Sequence, residues 1–184
     1  MNTLVIHPDN RSTDFLKVIY EGKDYTVLQN REQINRKLLT LNLIKNHDRI
    51  IMMGHGGPYG LVGHSSLFMN PYIIKELRKK ECVCIWCHAN IYVEREGLRG
   101  FYTGMFISEM CEANFYGIWS TQERITYSNN LFSGLMRDMI DNPNILTEIK
   151  QLYIGDCPVI VYNNERLYYK PDNAKTRREV FGIL

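Results

Sequence analysis

Two kinds of hydrophobic pattern alternate along the chain, and together they predict an α/β fold. Short apolar or β-branched runs predict strands at residues 3–7, 25–29, 49–53, 82–86 and 114–119. The runs at 49–53 and 82–86 are apolar throughout, which is typical of central strands covered on both faces. Helical spacing between the strands predicts helices over residues 13–19, 34–44, 71–80, 105–111, 128–139 and 143–152. Strands that alternate with helices indicate a mostly parallel sheet with helices on both faces.

The C-terminal part of the chain has a different pattern. Two apolar runs on either side of Asn163-Asn164 predict a hairpin over about 157–170, followed by a tail at 171–184. The basic cluster in that tail is typical of a solvated segment. A chain of 184 residues fits a single domain over 1–184, and it can bury a core without metals or disulfides.

Composition and charge argue against several classes of protein. The net charge of +2 comes from acidic and basic residues that are mixed along most of the chain, so we expect no nucleic-acid partner. The first residues lack the pattern of a signal peptide, and no apolar run approaches the about 20 residues that span a membrane. Five cysteines in such a chain predict reduced thiols and a cytoplasmic protein without a membrane partner.

The ends of the predicted strands are the places to look for function. In open parallel sheets, ligands bind beyond the carboxyl ends of the strands. Those ends carry polar or reactive residues at 7–9, 55–56, 87–88 and 120–123. A candidate site therefore has to be assembled from these four segments.

His55 and Cys87 have complementary chemistry at two of these ends. A thiolate is a strong nucleophile, but a free thiol has a pKa of about 8.5 and gains from a nearby base. Imidazole titrates near neutrality, so it can accept the thiol proton and later protonate a leaving amine. One helical crossover separates the two residues, which predicts adjacent strands about 5 Å apart. The N–H groups of Gly56 and Cys87 are then candidates for an oxyanion hole.

This arrangement resembles the caspase-like cysteine peptidases, a group that includes caspases, metacaspases, gingipains and legumain. Gly54-His55-Gly56 is similar to the Gly-His-Gly of bacterial metacaspases, and Cys87-His88-Ala89-Asn90 is similar to their Cys-His-Ser-Gly. The resemblance implies a three-layer sandwich, a peptide or protein substrate, and no metal or organic cofactor. It also implies Cys87 as nucleophile, His55 as base and the Gly56 N–H as oxyanion donor, with a homodimer as one assembly the family uses.

The chain departs from the metacaspase pattern in ways that affect specificity. Trp86 stands where metacaspases have the Asp that helps bind a basic substrate residue, and Asn90 replaces a Gly. A substrate pocket has to come from other strand ends, and the candidates are Asp9, Trp86, Ser120 and Glu123. Asp9 and Glu123 would favour a basic substrate residue, which is the hypothesis we adopt, whereas Arg11 or Arg124 would favour an acidic one.

Three alternatives remain open from the residues alone. The missing Asp is compatible with a catalytically inactive caspase-like module used for binding or assembly. Cys84 and Cys87 form a Cys-x-x-Cys pair, which allows a small thiol redox protein. His88 or His64 could replace His55 as the base. The match of residues 84–88 to a haem-attachment motif fails because Cys84 lies inside a predicted central strand, and no second Cys/His pair completes a zinc site.

Overall fold

The computed structural model describes residues 1–142 and 144–171. The strands are β1 (Thr3–Ile6), β2 (Thr26–Leu28), β3 (Arg49–Met53), β4 (Gly56–Gly57), β5 (Gly60–Leu61), β6 (Glu81–Ile85), β7 (Gly100–Thr103) and β8 (Leu167–Lys170). A 3-10 helix covers Arg11–Ile19, and the α-helices are α1 (Arg31–Asn35), α2 (Lys37–Lys45), α3 (Ser65–Phe68), α4 (Pro71–Leu77), α5 (Ala89–Glu96), α6 (Met110–Phe115), α7 (Gln122–Met139), α8 (Ile145–Leu152) and α9 (Pro158–Asn164). The predicted tail from residue 172 onward lies outside the described residues.

The strands form a mixed, mostly parallel sheet, as the hydrophobic pattern predicts. The order across the sheet is β2-β1-β3-β6-β7-β8, with β8 antiparallel to β7 and the other pairs parallel. The chain runs from β1 to β2 on one side and then returns to place β3 on the other side of β1. This reversal creates a crevice at the carboxyl ends of β1 and β3, which is where sheets of this kind bind ligands.

Two hydrophobic cores lie on opposite faces of the sheet because alternate strand residues point to opposite sides. One core combines Ile50, Met52 and Cys84 with residues from α1 to α5. The other combines Ile51 and Val83 with residues from the 3-10 helix and from α7, α8 and α9. The described residues therefore form an α/β fold with helices on both faces, which confirms that part of the fold prediction. No helix in the described ranges has the length and apolar character needed to cross a bilayer.

The predicted C-terminal hairpin over 157–170 is wrong in its first arm. Residues Pro158–Asn164 form helix α9, and only Leu167–Lys170 is a strand, which pairs with β7. Pro158 starts the helix, since proline suits the first helical position. Val159, Ile160 and Asn163 are buried, a spacing that fits one helix face better than alternate positions of a strand.

The region between residues 98 and 128 also differs from its predicted elements. Strand β7 is absent from the sequence prediction because the run Gly100–Thr103 is short and begins with a glycine. Gly100 is required there, since a Cβ would collide with the carbonyl oxygen of Cys82 on β6. The predicted strand at 114–119 is wrong: α6 ends at Phe115, and a turn follows at Gly117, whose φ is 66°. Helix α7 starts at Gln122 and not at residue 128, because Thr121 caps it.

Trp86 joins the end of β6 to the small hairpin of β4 and β5. Its indole is buried, packs edge-on against Tyr92, and donates a hydrogen bond from Nε1 to the Gly57 carbonyl at 3.1 Å. Gly56 lies so close to the indole that a Cβ there would overlap it. Because this hairpin directly follows β3, the packing of Trp86 against Gly56 fixes the backbone beside His55.

We predict that Gly56→Ala lowers the free energy of unfolding by about 1–3 kcal/mol, because the new methyl group forces the indole or the hairpin to move. Gly57→Ala is the matched control, since the space around Gly57 is open within 4 Å and neither glycine has a positive φ. Urea unfolding followed by tryptophan fluorescence measures both variants. If the two variants have equal free energies of unfolding, the close contact between Trp86 and Gly56 is contradicted.

Candidate active site

His55 and Cys87 lie beyond the carboxyl ends of two strands that are directly paired. β3 and β6 run parallel with Met53 opposite Ile85, and each reactive residue follows its strand by two positions. Both side chains line a cavity of about 500 Å³, which also includes Pro8 and Asn10 from beyond the end of β1. The structure thus brings the predicted pair to one opening at the crevice between the strand ends.

The Gly56 N–H is left free of the β4–β5 ladder. In the β4–β5 hairpin, Val62 donates a backbone hydrogen bond to the His55 carbonyl at 2.8 Å. The pair of Gly56 with Leu61 comes next, and antiparallel ladders alternate bonded and non-bonded pairs. The Gly56 N–H therefore points away from β5, and Gly56 lines the large cavity.

The thiol of Cys87 has partners other than His55. Its Sγ lies 3.4 Å from the Phe106 carbonyl and 3.5 Å from Oε1 of Glu112, so the S–H can donate to either oxygen. Burial, followed by the negative charge of Glu112, raises the pKa of the Cys87 thiol to about 12. In this arrangement the sulfur is a neutral thiol at pH 7, and it needs a base before it can act as a nucleophile.

Glu112 is a site residue that the sequence analysis missed. Its Oε2 accepts hydrogen bonds from the Ser108 N–H at 2.7 Å, the Ser108 hydroxyl at 3.2 Å and the Glu109 N–H at 3.1 Å. Glu109 and Glu112 form the capping box that starts α6. The three-residue spacing of these two acids is visible in the sequence, but nothing there shows that the second one reaches Cys87.

His55 is held by a hydrogen bond to Ser12 in the 3-10 helix. The His55 Nε2 and the Ser12 Oγ are 2.5 Å apart, and the Ser12 Oγ lies 3.0 Å from the Asn10 Oδ1. That Asn10 oxygen also accepts the Ser12 backbone N–H at 3.1 Å, so it is an acceptor and the Ser12 hydroxyl donates to it. We therefore assign the proton between Ser12 and His55 to Nε2. In the neutral ring, this assignment places the lone pair on Nδ1.

The turn that follows Cys87 has an unusual backbone. His88 has φ 64° and ψ 26°, the left-handed region that residues other than glycine rarely adopt. Its N–H donates to the Gly104 carbonyl at 3.0 Å, and the Ala89 N–H donates to the Trp86 carbonyl at 3.2 Å. These bonds hold a tight strand-to-helix turn with Cys87 at its start. A residue other than glycine in the left-handed region raises the energy of the folded backbone by about 1–3 kcal/mol, and such residues cluster at functional sites.

The four residues predicted for a substrate pocket do not gather around Cys87. Trp86 is buried in the core, and Asp9 is exposed and pairs with Lys17 at 4.0 Å. Ser120 and Glu123 lie before and at the start of α7, and neither lines the cavity that holds Cys87. Arg11 lines a separate polar cavity, and Arg124 stacks over Trp119.

Cys82, Cys84, His64 and His7 have packing or structural roles. Cys82 and Cys84 are buried in β6, and burial raises the pKa of each thiol. His64 is buried, and its Nδ1 lies 2.8 Å from the Asn35 Oδ1. His7 lies between Tyr20 and Thr13, and burial lowers its pKa to about 4. In the described part of the chain, no group of three or more potential ligands from His, Cys, Asp and Glu could hold a metal ion.

Comparison with known proteins adds no family assignment. The chain matches no protein-family model, no curated protein and no solved structure. The interpretation of the site therefore rests on its own geometry and on the motifs at the ends of β3 and β6.

We predict that Glu112→Gln lowers the pKa of Cys87 by about one unit, because it removes the nearest negative charge. The rate of Cys87 alkylation by iodoacetamide at pH 8 should then rise by about tenfold, since the thiolate is the reacting species. The measurement is the pH dependence of alkylation, followed by mass spectrometry of the peptide that contains Cys87.

Glu109→Gln is the matched control for this measurement. Glu109 belongs to the same capping box, but its charge is the weakest of the influences on Cys87. We expect a smaller increase in the rate of Cys87 alkylation in Glu109→Gln than in Glu112→Gln. A slower alkylation in Glu112→Gln would show that the carboxylate assists deprotonation of the thiol, which would contradict its role in keeping Cys87 protonated.

Proposed function

We propose that this chain is a cysteine peptidase of the caspase-like type, with Cys87 as nucleophile and His55 as general base. The observation that carries the proposal is that both side chains line one cavity at the carboxyl ends of paired parallel strands. The order of elements supports a caspase-like three-layer fold: a strand before Gly54-His55-Gly56, a helical crossover, and a strand before Cys87. A reducing compartment such as the cytoplasm, a peptide or protein substrate, and a homodimer are parts of the same proposal.

The reaction begins with a neutral thiol. A peptide carbonyl entering the cavity meets the Cys87 sulfur, which turns away from Glu112 and Phe106 towards His55. Nδ1 of His55 takes the thiol proton while the C–S bond forms, so no free thiolate accumulates. This order suits a thiol whose pKa is raised by burial and by Glu112.

The later steps use the same groups. The carbonyl oxygen becomes an oxyanion, and the N–H groups of Gly56 and Cys87 are the proposed donors to it. His55, then doubly protonated, gives a proton to the leaving amine as the C–N bond breaks. A water molecule loses a proton to His55 and attacks the thioester, which releases the acid and restores the thiol. This chemistry needs no metal or organic cofactor.

One observation favours a second candidate function, a non-catalytic module for binding or assembly. The Cys87 thiol is hydrogen-bonded to Glu112 and Phe106, and His55 is hydrogen-bonded to Ser12, so among these described bonds none joins Cys87 to His55. The redox alternative has less support, because Cys84 is fully buried within β6 and a reversible disulfide needs access to both thiols.

We expect Cys87→Ala to abolish peptide hydrolysis and His55→Ala to lower kcat/KM by at least about 100-fold. The measurement is cleavage of a positional-scanning library of fluorogenic peptides by the wild type and both variants. Cys157→Ala is the control, because this cysteine lies at the start of α9 and lines neither cavity near Cys87. Hydrolysis that survives Cys87→Ala would refute the proposal, and a wild type that binds peptides without cleaving them would favour the binding module.

A further inference from the structure

The walls of the cavity that holds Cys87 are mainly apolar. Val62 from the end of β5, Met105 from the loop after β7, and Phe115 and Tyr116 at the end of α6 all line it. Phe115 is 82% exposed and packs edge-on against the Tyr116 ring, with the ring centroids 5.1 Å apart. Large apolar side chains at such exposure mark a binding surface when they border a concave site.

The charged groups around the cavity do not form a pocket for a basic side chain. Glu112 is the acidic residue in its lining, and its carboxylate already accepts bonds from Ser108, Glu109 and Cys87. Arg31 also lines the cavity, but its side chain is exposed, so water and salt screen its charge. An unpaired substrate charge placed in this cavity would lose its hydration without gaining a free opposite charge in the interior.

A neighbouring cavity of about 450 Å³ has a more polar lining. Ser12, Ser108, Gln122 and Asn130 line it, and it shares Cys111 with the apolar cavity. The cavity beside Cys87 therefore has a more apolar lining than its neighbour.

We propose that the cavity beside Cys87 selects peptides with a large apolar or aromatic side chain next to the scissile bond. The inference rests on the proposed peptidase function and names its substrate class. The side chain would lie against Phe115, Tyr116 and Met105, while the peptide carbonyl faces Cys87 and the Gly56 N–H. Burying an aromatic ring there removes apolar surface of both partners from water.

The test measures binding separately from cleavage. Short fluorescein-labelled peptides that differ only at a central position, which is Phe, Leu, Lys or Asp, are titrated into the Cys87→Ala variant and followed by fluorescence anisotropy. We expect the Phe peptide to bind at least about tenfold more tightly than the Lys and Asp peptides. As a second measurement on the wild type, the Phe peptide should slow the alkylation of Cys87 more than the charged peptides do.

Two further variants show whether the proposed wall is responsible. Phe115→Ala should weaken binding of the Phe peptide while leaving the charged peptides unchanged. Tyr127→Ala is the control, because this tyrosine is also exposed on the surface but does not line the cavity. If both variants lose affinity for the Phe peptide, or if neither does, Phe115 does not form the binding surface for the aromatic side chain.

The outcomes separate this inference from the proposed function. Tightest binding of the Asp peptide would assign the specificity to Arg31, and tightest binding of the Lys peptide would assign it to Glu112. Equal binding of all the peptides would show no selectivity. Each of these three results overturns the inference. If the wild type cleaves a Lys or Asp peptide best, the substrate class is wrong and the peptidase stands. If the Phe peptide binds selectively but is never cleaved, the cavity's preference stands and the peptidase fails.

Discussion

The parallel pairing of β3 with β6 is the constraint on which the site depends. The pairing runs from Arg49 opposite Glu81 to Met53 opposite Ile85, so both strands end at the same level. Any shift by one residue would turn the buried faces of β3 and β6 towards the wrong core, which makes the register hard to change. His55 and Cys87 are brought to one cavity because each follows its strand by the same two residues.

Trp86 connects this register to the chemistry at the strand ends. In the metacaspases that the motifs resemble, an Asp at this position helps bind substrate. In this chain an indole fills the space between β6, Tyr92 and the β4–β5 hairpin. The indole carries no charge, and its packing against Gly56 fixes the position of the hairpin backbone. A cavity whose walls are apolar, beside a hairpin held by a buried aromatic residue, is consistent with a substrate recognised through apolar contact.

His55 and Cys87 each bond to residues outside the predicted pair. Ser12 and Asn10 hold His55 in one tautomer, while Glu112 and burial keep Cys87 protonated. In the proposed reaction, the thiol proton that Glu112 and Phe106 accept in this structure passes to His55 instead.

Much of the sheet can be predicted from the sequence, and the details of the site cannot. The apolar runs at 49–53 and 82–86 are short, continuous and followed by turn or polar residues, which favours buried strands, so β3, β6 and the residues after them can be predicted. Residues 158–164 carry an apolar run that suits a strand or a helix, and Pro158 and tertiary burial decide for the helix. β7 is short and starts at a glycine, so its signal is weak. Glu112 and Ser12 reach the site through tertiary contacts that no local pattern encodes.

The most direct test of the Cys87–His55 site is to trap the covalent intermediate on Cys87. The wild-type protein is mixed with a peptide ester that has an aromatic side chain next to the ester carbonyl, quenched in acid, digested and studied by mass spectrometry. We expect the acyl group to be attached to Cys87, and Cys87→Ala to carry none. An acyl group on the Ser12 hydroxyl, which already contacts His55, or hydrolysis with no acylated Cys87 would contradict the role of Cys87 as nucleophile.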